Sequence, residues 1–116
     1  MAAPHRPCVC AAPPFHYTDY DSRDLGQDAH YATVELQRCK HCGRHWLKYL
    51  IEEEHITASG RWWRAAISAD EAKGMRAEEA RAHIERQPRC FAGGSGFDST
   101  GFEQQAPIRI RWTRTG

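Results

Sequence analysis

Residues 38–43 read Arg-Cys-Lys-His-Cys-Gly, and the rest of the chain is organised around this stretch. Two residues separate Cys39 from Cys42, a spacing that lets both sulfur atoms face one metal ion while backbone amides of the turn point toward the thiolates. Gly43 follows directly and can adopt the positive φ that such a tight turn needs. The pattern predicts one half of a metal site.

The segment from Cys39 to Gly43 resembles one knuckle of a zinc ribbon, and the resemblance covers only this segment and a second cysteine pair near the N-terminus. It implies a zinc ion at the tip of a β-hairpin, where zinc ribbons carry their knuckles. Iron is the chemical alternative, because similar knuckles hold iron in rubredoxin-like proteins. Both pairs in those proteins are Cys-x-x-Cys, whereas the second pair in this chain is Cys-x-Cys.

That second pair is predicted at Cys8 and Cys10. Side chains of an extended segment repeat every second residue, so both thiols would lie on one side. With Cys39 and Cys42 they make four thiolates, enough to close a tetrahedral site and to make its Zn²⁺ structural. The alternative is that Cys8 and Cys10 are small buried residues. Cys90 has no paired neighbour and is expected to be a buried apolar residue.

Length and composition predict one zinc-binding domain over residues 1–116, with residues 1–7 as a flexible tail. The chain is 41% apolar, which permits only a modest core that a metal ion would reinforce. Its net charge of +1 argues against a nucleic-acid binder driven by electrostatics alone.

The N-terminal residues contain no apolar run of the kind a signal peptide needs, and no stretch approaches the length of a membrane span. We therefore expect a cytoplasmic protein. In that reducing environment a close cysteine pair more often holds a metal than forms a disulfide.

The fold predicted from these patterns is a small α+β domain with an antiparallel meander, a zinc-ribbon-like knuckle and one helix in the C-terminal half. Alternating apolar residues predict three strands, over residues 30–39, 45–51 and 61–67. A capping box at Ser68 and Glu71 opens a short helical turn, and residues 75–87 form the predicted helix.

The remaining segments are less regular in pattern. Residues 11–27 are rich in proline and aspartate and are expected to wrap the core irregularly. Residues 93–101 are rich in glycine and hydroxyl groups, but they fit neither a phosphate loop nor a nucleophile elbow and are expected to be a tight-turned loop. Residues 107–112 alternate well enough to predict a closing strand.

Two adjacent tryptophans suggest where a partner would bind. In a strand Trp62 and Trp63 point to opposite faces, and Trp63 shares its side with the apolar Ala65. Trp62 shares its side with Arg64, so we predict that Trp62 and Arg64 form a partner-binding surface.

A protein partner is the favoured interpretation, with an inhibitor, an immunity-type factor or a complex subunit as examples. A single-stranded nucleic-acid-binding zinc ribbon, using stacking aromatics, is the alternative. An enzyme of unknown reaction ranks third, because no catalytic residue can be assigned from the spacing of the chain's nucleophiles and acids. No membrane role is expected.

Overall fold

The computed structural model describes residues 8–51, 60–94 and 101–111 of the chain. Within these ranges six antiparallel strands form one sheet, and each strand pairs with its neighbours in sequence. The strands are β1 (Tyr20–Gln27), β2 (Thr33–Cys39), β3 (His45–Ile51), β4 (Arg61–Ile67), β5 (Arg89–Gly94) and β6 (Phe102–Gln105). Two helices in the described residues, α1 (Ala69–Gly74) and α2 (Ala77–Glu85), connect β4 to β5.

The predicted fold class, an α+β domain with a small meander and one helix, is wrong. Of the described residues about 43% are strand and 23% are helix, so a six-stranded sheet dominates the architecture. The predicted strands at 45–51 and 61–67 coincide with β3 and β4, and the one at 30–39 contains β2. Three strands were not predicted. β1 and β6 are edge strands with mostly exposed side chains and therefore little apolar alternation. β5 runs into the glycine-rich stretch at 93–101 that the sequence predicts to be a loop.

Both faces of the sheet are covered. One face packs against α1, α2 and the segment 107–111 to form the large cluster, which includes Leu47, Tyr49, Trp63, Ala65, Ile84, Ile108 and Ile110. The opposite face packs against residues 8–19, called the N-terminal segment below, to form the small cluster. This cluster comprises Cys10, Tyr20, Cys39, Trp46 and Phe91, with Phe15 and Trp62 at its margin. Trp63 is buried in the large cluster, as the alternation of β4 predicts.

The knuckle lies at the tip of the β2–β3 hairpin, as predicted. Arg38 pairs with His45 in the last rung of this ladder, so the chain turns across the residues between them. The capping box is confirmed as well: the Ser68 hydroxyl accepts the Glu71 backbone N–H at 3.0 Å, and the Glu71 carboxylate accepts the Ser68 N–H at 3.2 Å.

Two other segments differ from expectation. Residues 20–27 of the supposedly irregular stretch form β1, which adds an edge strand beside β2. Residues 107–111 form no strand, although Ile108 and Ile110 are buried as their alternation predicts. The predicted tail at residues 1–7, most of the glycine-rich loop at 95–100 and Trp112 lie outside the described residues. No described helix is long and apolar enough to cross a membrane.

Candidate metal centre

The four predicted cysteines converge on one point. The sulfur atoms of Cys8, Cys10, Cys39 and Cys42 all lie within 4.8 Å of one another. The Cys8–Cys39 and Cys10–Cys42 sulfur pairs are each 3.5 Å apart, too far for a disulfide of about 2.05 Å. Four thiolates around a tetrahedral ion at about 2.3 Å would be roughly 3.8 Å apart. The cluster therefore has the dimensions of a four-cysteine metal site.

The knuckle presents Cys39 through its own backbone. The His41 N–H donates to the Cys39 sulfur at 3.4 Å, and the Gly43 N–H donates to the Cys39 carbonyl at 2.9 Å. Gly43 has a φ of 78°, the left-handed conformation that glycine adopts without steric cost. The amide contact to sulfur and the positive φ are those predicted from the spacing.

The N-terminal pair reaches the site by a different local geometry from the one predicted. Val9–Ala11 is a 3-10 turn rather than an extended segment, and the Ala11 N–H donates to the Cys8 carbonyl at 2.9 Å. The turn brings the sulfur atoms of Cys8 and Cys10 together as an extended segment would. Val9, between them, points outward and is 54% exposed.

Asp19 joins the N-terminal segment to the knuckle. Its backbone carbonyl accepts the Lys40 N–H at 2.8 Å, and its carboxylate lies 2.8 Å from Nε2 of His41. The hydrogen bond to Asp19 raises the pKa of His41. His41 is thereby engaged with a carboxylate beside the site, and the candidate ligands of the cluster are the four cysteine sulfur atoms.

The cluster is buried on one side and open on the other. Cys10 and Cys39 belong to the small cluster, Cys8 is half-buried and Cys42 is exposed. Burial raises the pKa of Cys10 to about 12, although the neighbouring Trp46 side chain acts in the opposite direction. Burial acts to raise the pKa of Cys39, but the backbone N–H groups of Cys42 and His41, together with the side chains of Cys8 and Cys42, lower it to about 7. Cys39 therefore loses its proton more readily than Cys10.

Arg64 carries a positive charge beneath the cluster and is only 1% exposed. Its guanidinium lies over three aromatic rings, at 4.1 Å from the centre of Phe15, 4.3 Å from Trp46 and 4.6 Å from Tyr20. It also donates to the Cys10 carbonyl at 3.3 Å and to Oε1 of Gln37 at 3.0 Å. Among the described residues no carboxylate pairs with it.

A buried cation without a carboxylate partner needs another source of negative charge. Burial lowers the pKa of Arg64, while Tyr20 and then Cys10 and Cys39 oppose that shift. Four thiolates around a divalent cation carry a net charge of −2, which the buried guanidinium would partly compensate. The placement of Arg64 thus fits an anionic, metal-loaded cluster.

This position corrects the expectation for Arg64. Arg64 does lie on the same face as Trp62, but the N-terminal segment covers that face and leaves Arg64 no surface to offer a partner. Trp62 is half-buried, with its ring 6.0 Å from that of Phe15 in an edge-on arrangement. Cys90 is buried as predicted, and burial raises its pKa to about 11.

Sequence reasoning missed Arg64 and Asp19 as supports of the site. Arg64 stands between buried residues of a strand, where a charged side chain requires compensation, and that position was the available signal. Asp19 gave no comparable signal, because its contacts depend on how β1 is paired. No family model, curated protein or solved structure matches the chain, so its chemistry must be inferred from its own residues.

Replacing Arg64 with Met should weaken metal binding about 10- to 100-fold, the usual effect of losing an outer partner of a metal site. Met preserves much of the buried volume and removes the charge. Zn²⁺ affinity measured by competition with a chromophoric chelator provides the readout.

Arg44→Met is the matched control, because Arg44 is an exposed arginine stacked 5.1 Å above the same Trp46 ring. Its affinity should stay within about threefold of the wild type, as expected for an exposed charge. Equal losses in the two variants, or no loss in Arg64→Met, would contradict electrostatic compensation by Arg64.

Proposed function

We propose that the protein is a zinc-dependent binding module, in which a structural Zn²⁺ held by Cys8, Cys10, Cys39 and Cys42 fastens the N-terminal segment across one face of the sheet. The observation that carries this proposal is the convergence of two distant cysteine pairs within 4.8 Å above a buried guanidinium. Four thiolates fill a tetrahedral coordination sphere and leave no position for water or substrate, which favours a structural role over catalysis.

Zinc is favoured over iron by the geometry of the ligand pairs. The Cys-x-Cys pair departs from the two Cys-x-x-Cys knuckles of rubredoxin-like iron sites. Zn²⁺ also has no geometric preference arising from its d-electrons. It can therefore bind four sulfur atoms that come from two turns of different geometry. Iron remains the alternative that metal analysis distinguishes.

Protein binding is the role we assign to the fastened segment. The large apolar side chains most exposed in the described residues are Val9, Tyr17, Tyr31 and Phe102, and the first two lie on this segment. Tyr17 is 84% exposed and lies two residues before Asp19, whose carboxylate forms a hydrogen bond with His41 of the knuckle. Exposed tyrosines are favoured at protein interfaces. The burial of Arg64 counts against the alternative, a nucleic-acid surface formed by Trp62 and Arg64.

The purified protein should contain one equivalent of zinc, and Cys39→Ser should leave it unfolded or strongly destabilised. Metal binding of this kind supplies on the order of 10 kcal/mol to the folding of small zinc domains. Elemental analysis and thermal unfolding provide the two readouts. Cys90→Ala is the control, since it removes a buried cysteine from the large cluster and should retain the zinc. Wild-type stability in Cys39→Ser, or absence of metal from the wild type, would contradict the proposal.

The partner surface is tested by a double variant, Val9→Ser with Tyr17→Ser, used as bait beside the wild type. A specific protein captured by the wild type should be lost from this variant, because the substitutions remove the exposed apolar area of the segment. Tyr31→Ser is the matched control, since Tyr31 is similarly exposed but lies in the β1–β2 turn, and it should retain capture. Capture of the same protein by all baits would place the interface elsewhere.

A further inference from the structure

A cleft of about 360 Å³ opens on the face of the sheet opposite the cysteine cluster. Its volume falls within the range of about 300–1,000 Å³ that is common for small-molecule sites. The lining includes Arg61, Trp63, Phe102, Gln104, Arg109 and Arg111. The metal-site chemistry involves none of these residues, so the cleft is a separate feature of the molecule.

The short segment 107–111, in which buried and exposed side chains alternate, contributes to the lining of the cleft. Ile108 and Ile110 enter the large cluster, and the Ile110 N–H donates to Oε2 of Glu85 at 2.9 Å. The residues between and after them, Arg109 and Arg111, are exposed and line the cleft. Arg61, at the start of β4, also lines the cleft.

The charge of the lining is positive. Three arginines line the cleft, and none of the described residues that line it is acidic. Within the described part of the chain Arg109 and Arg111 form no ion pair with a carboxylate. Glu85 reaches the segment, but its oxygens are engaged by Arg81 and by the Ile110 backbone. The cleft therefore favours an anion.

The amount of charge favours phosphate over carboxylate. One carboxylate brings a single negative charge, whereas a phosphate monoester brings about −1.5 to −2 at neutral pH, and a diphosphate brings more. Guanidinium groups also match phosphate oxygens in a bidentate geometry. A phosphate or diphosphate would therefore balance the charges of the two exposed arginines, Arg109 and Arg111.

An aromatic side chain stands beside the charges. Phe102 is 59% exposed and lines the cleft with the edge of the buried Trp63. Planar rings such as nucleobases stack favourably on exposed aromatic side chains of this kind. Gln104 adds an amide that can donate to or accept from a base edge.

We propose that this cleft binds a nucleotide, with the phosphates against Arg109 and Arg111 and the base against Phe102. The ligand chemistry is a phosphate ester next to a planar ring, supplied either by a free nucleotide or by a single-stranded nucleic acid. The site lies on the helix-bearing face, so its occupancy is independent of a partner bound to the N-terminal segment.

Isothermal titration calorimetry of the zinc-loaded full chain tests the composition of the ligand. ADP should bind at least about 10-fold more tightly than adenosine or pyrophosphate, because each of these lacks one of the two contacts. The absence of ADP binding at millimolar concentration overturns the proposal. Pyrophosphate that binds as tightly as ADP also overturns it, since the base would then contribute nothing.

The location is tested with the double variant Arg109→Gln and Arg111→Gln. Both residues are exposed, and the variant should weaken ADP binding at least about 10-fold while keeping the wild-type melting temperature. Arg23→Gln is the control, because Arg23 is an exposed arginine on β1, at the opposite edge of the sheet, and it should bind ADP within about twofold of the wild type. Equal affinity in the double variant and the control places ADP elsewhere and overturns the assignment.

A thymidine oligonucleotide about ten residues long distinguishes the two sources of the ligand. If it binds more tightly than ADP, with an affinity that falls steeply with salt and is lost in the double variant, the cleft recognises a nucleotide within a strand. If ADP binds more tightly, the ligand is a free nucleotide. Oligonucleotide binding that exceeds that of ADP and persists in the double variant contradicts the proposed site.

Discussion

In the metal-loaded protein that we propose, the structure depends on the electrostatic balance between four cysteine thiolates and the buried guanidinium of Arg64. The two cysteine pairs come from segments about thirty residues apart and meet on one face of the sheet. Beneath them Arg64 lies among three aromatic rings with no carboxylate partner in the described residues. Either charge alone would be costly in this position, because burial penalises an uncompensated ion. Together the two opposite charges compensate each other, which favours the formation of the small cluster.

This balance explains why the sheet is covered on both faces. The large cluster joins the sheet to its helices by ordinary apolar packing, whereas the small cluster packs the three rings of Tyr20, Trp46 and Phe91 beside the cysteine sulfur atoms and a buried guanidinium. Phe15 illustrates the link: it stacks on Arg64 and contacts both Trp62 and Phe91 from a segment that the cysteines hold in place. A metal that fixes Cys8 and Cys10 therefore also fixes the covering of this face.

The sequence predicted those features that depend on local spacing. Cys39, Cys42 and Gly43 determine the knuckle through a short turn, and β3 and β4 carry buried apolar side chains at alternate positions that pack into the large cluster. The edge strands β1 and β6 carry no such alternation, because most of their side chains are exposed. The charge of Arg64 between buried positions of β4 signals a need for compensation, but the rings around it come from separate segments that the sequence does not connect. Strand pairing between residues far apart in the chain brings these segments together, and the sequence alone does not reveal that pairing.

Zinc K-edge X-ray absorption of the purified protein is the most direct test of the central claim, because it reports the atoms that surround the metal. The account predicts four sulfur neighbours at about 2.3 Å and no nitrogen or oxygen ligand. A shell containing a nitrogen or oxygen neighbour would bring His41 or water into the coordination sphere and contradict a closed four-cysteine site.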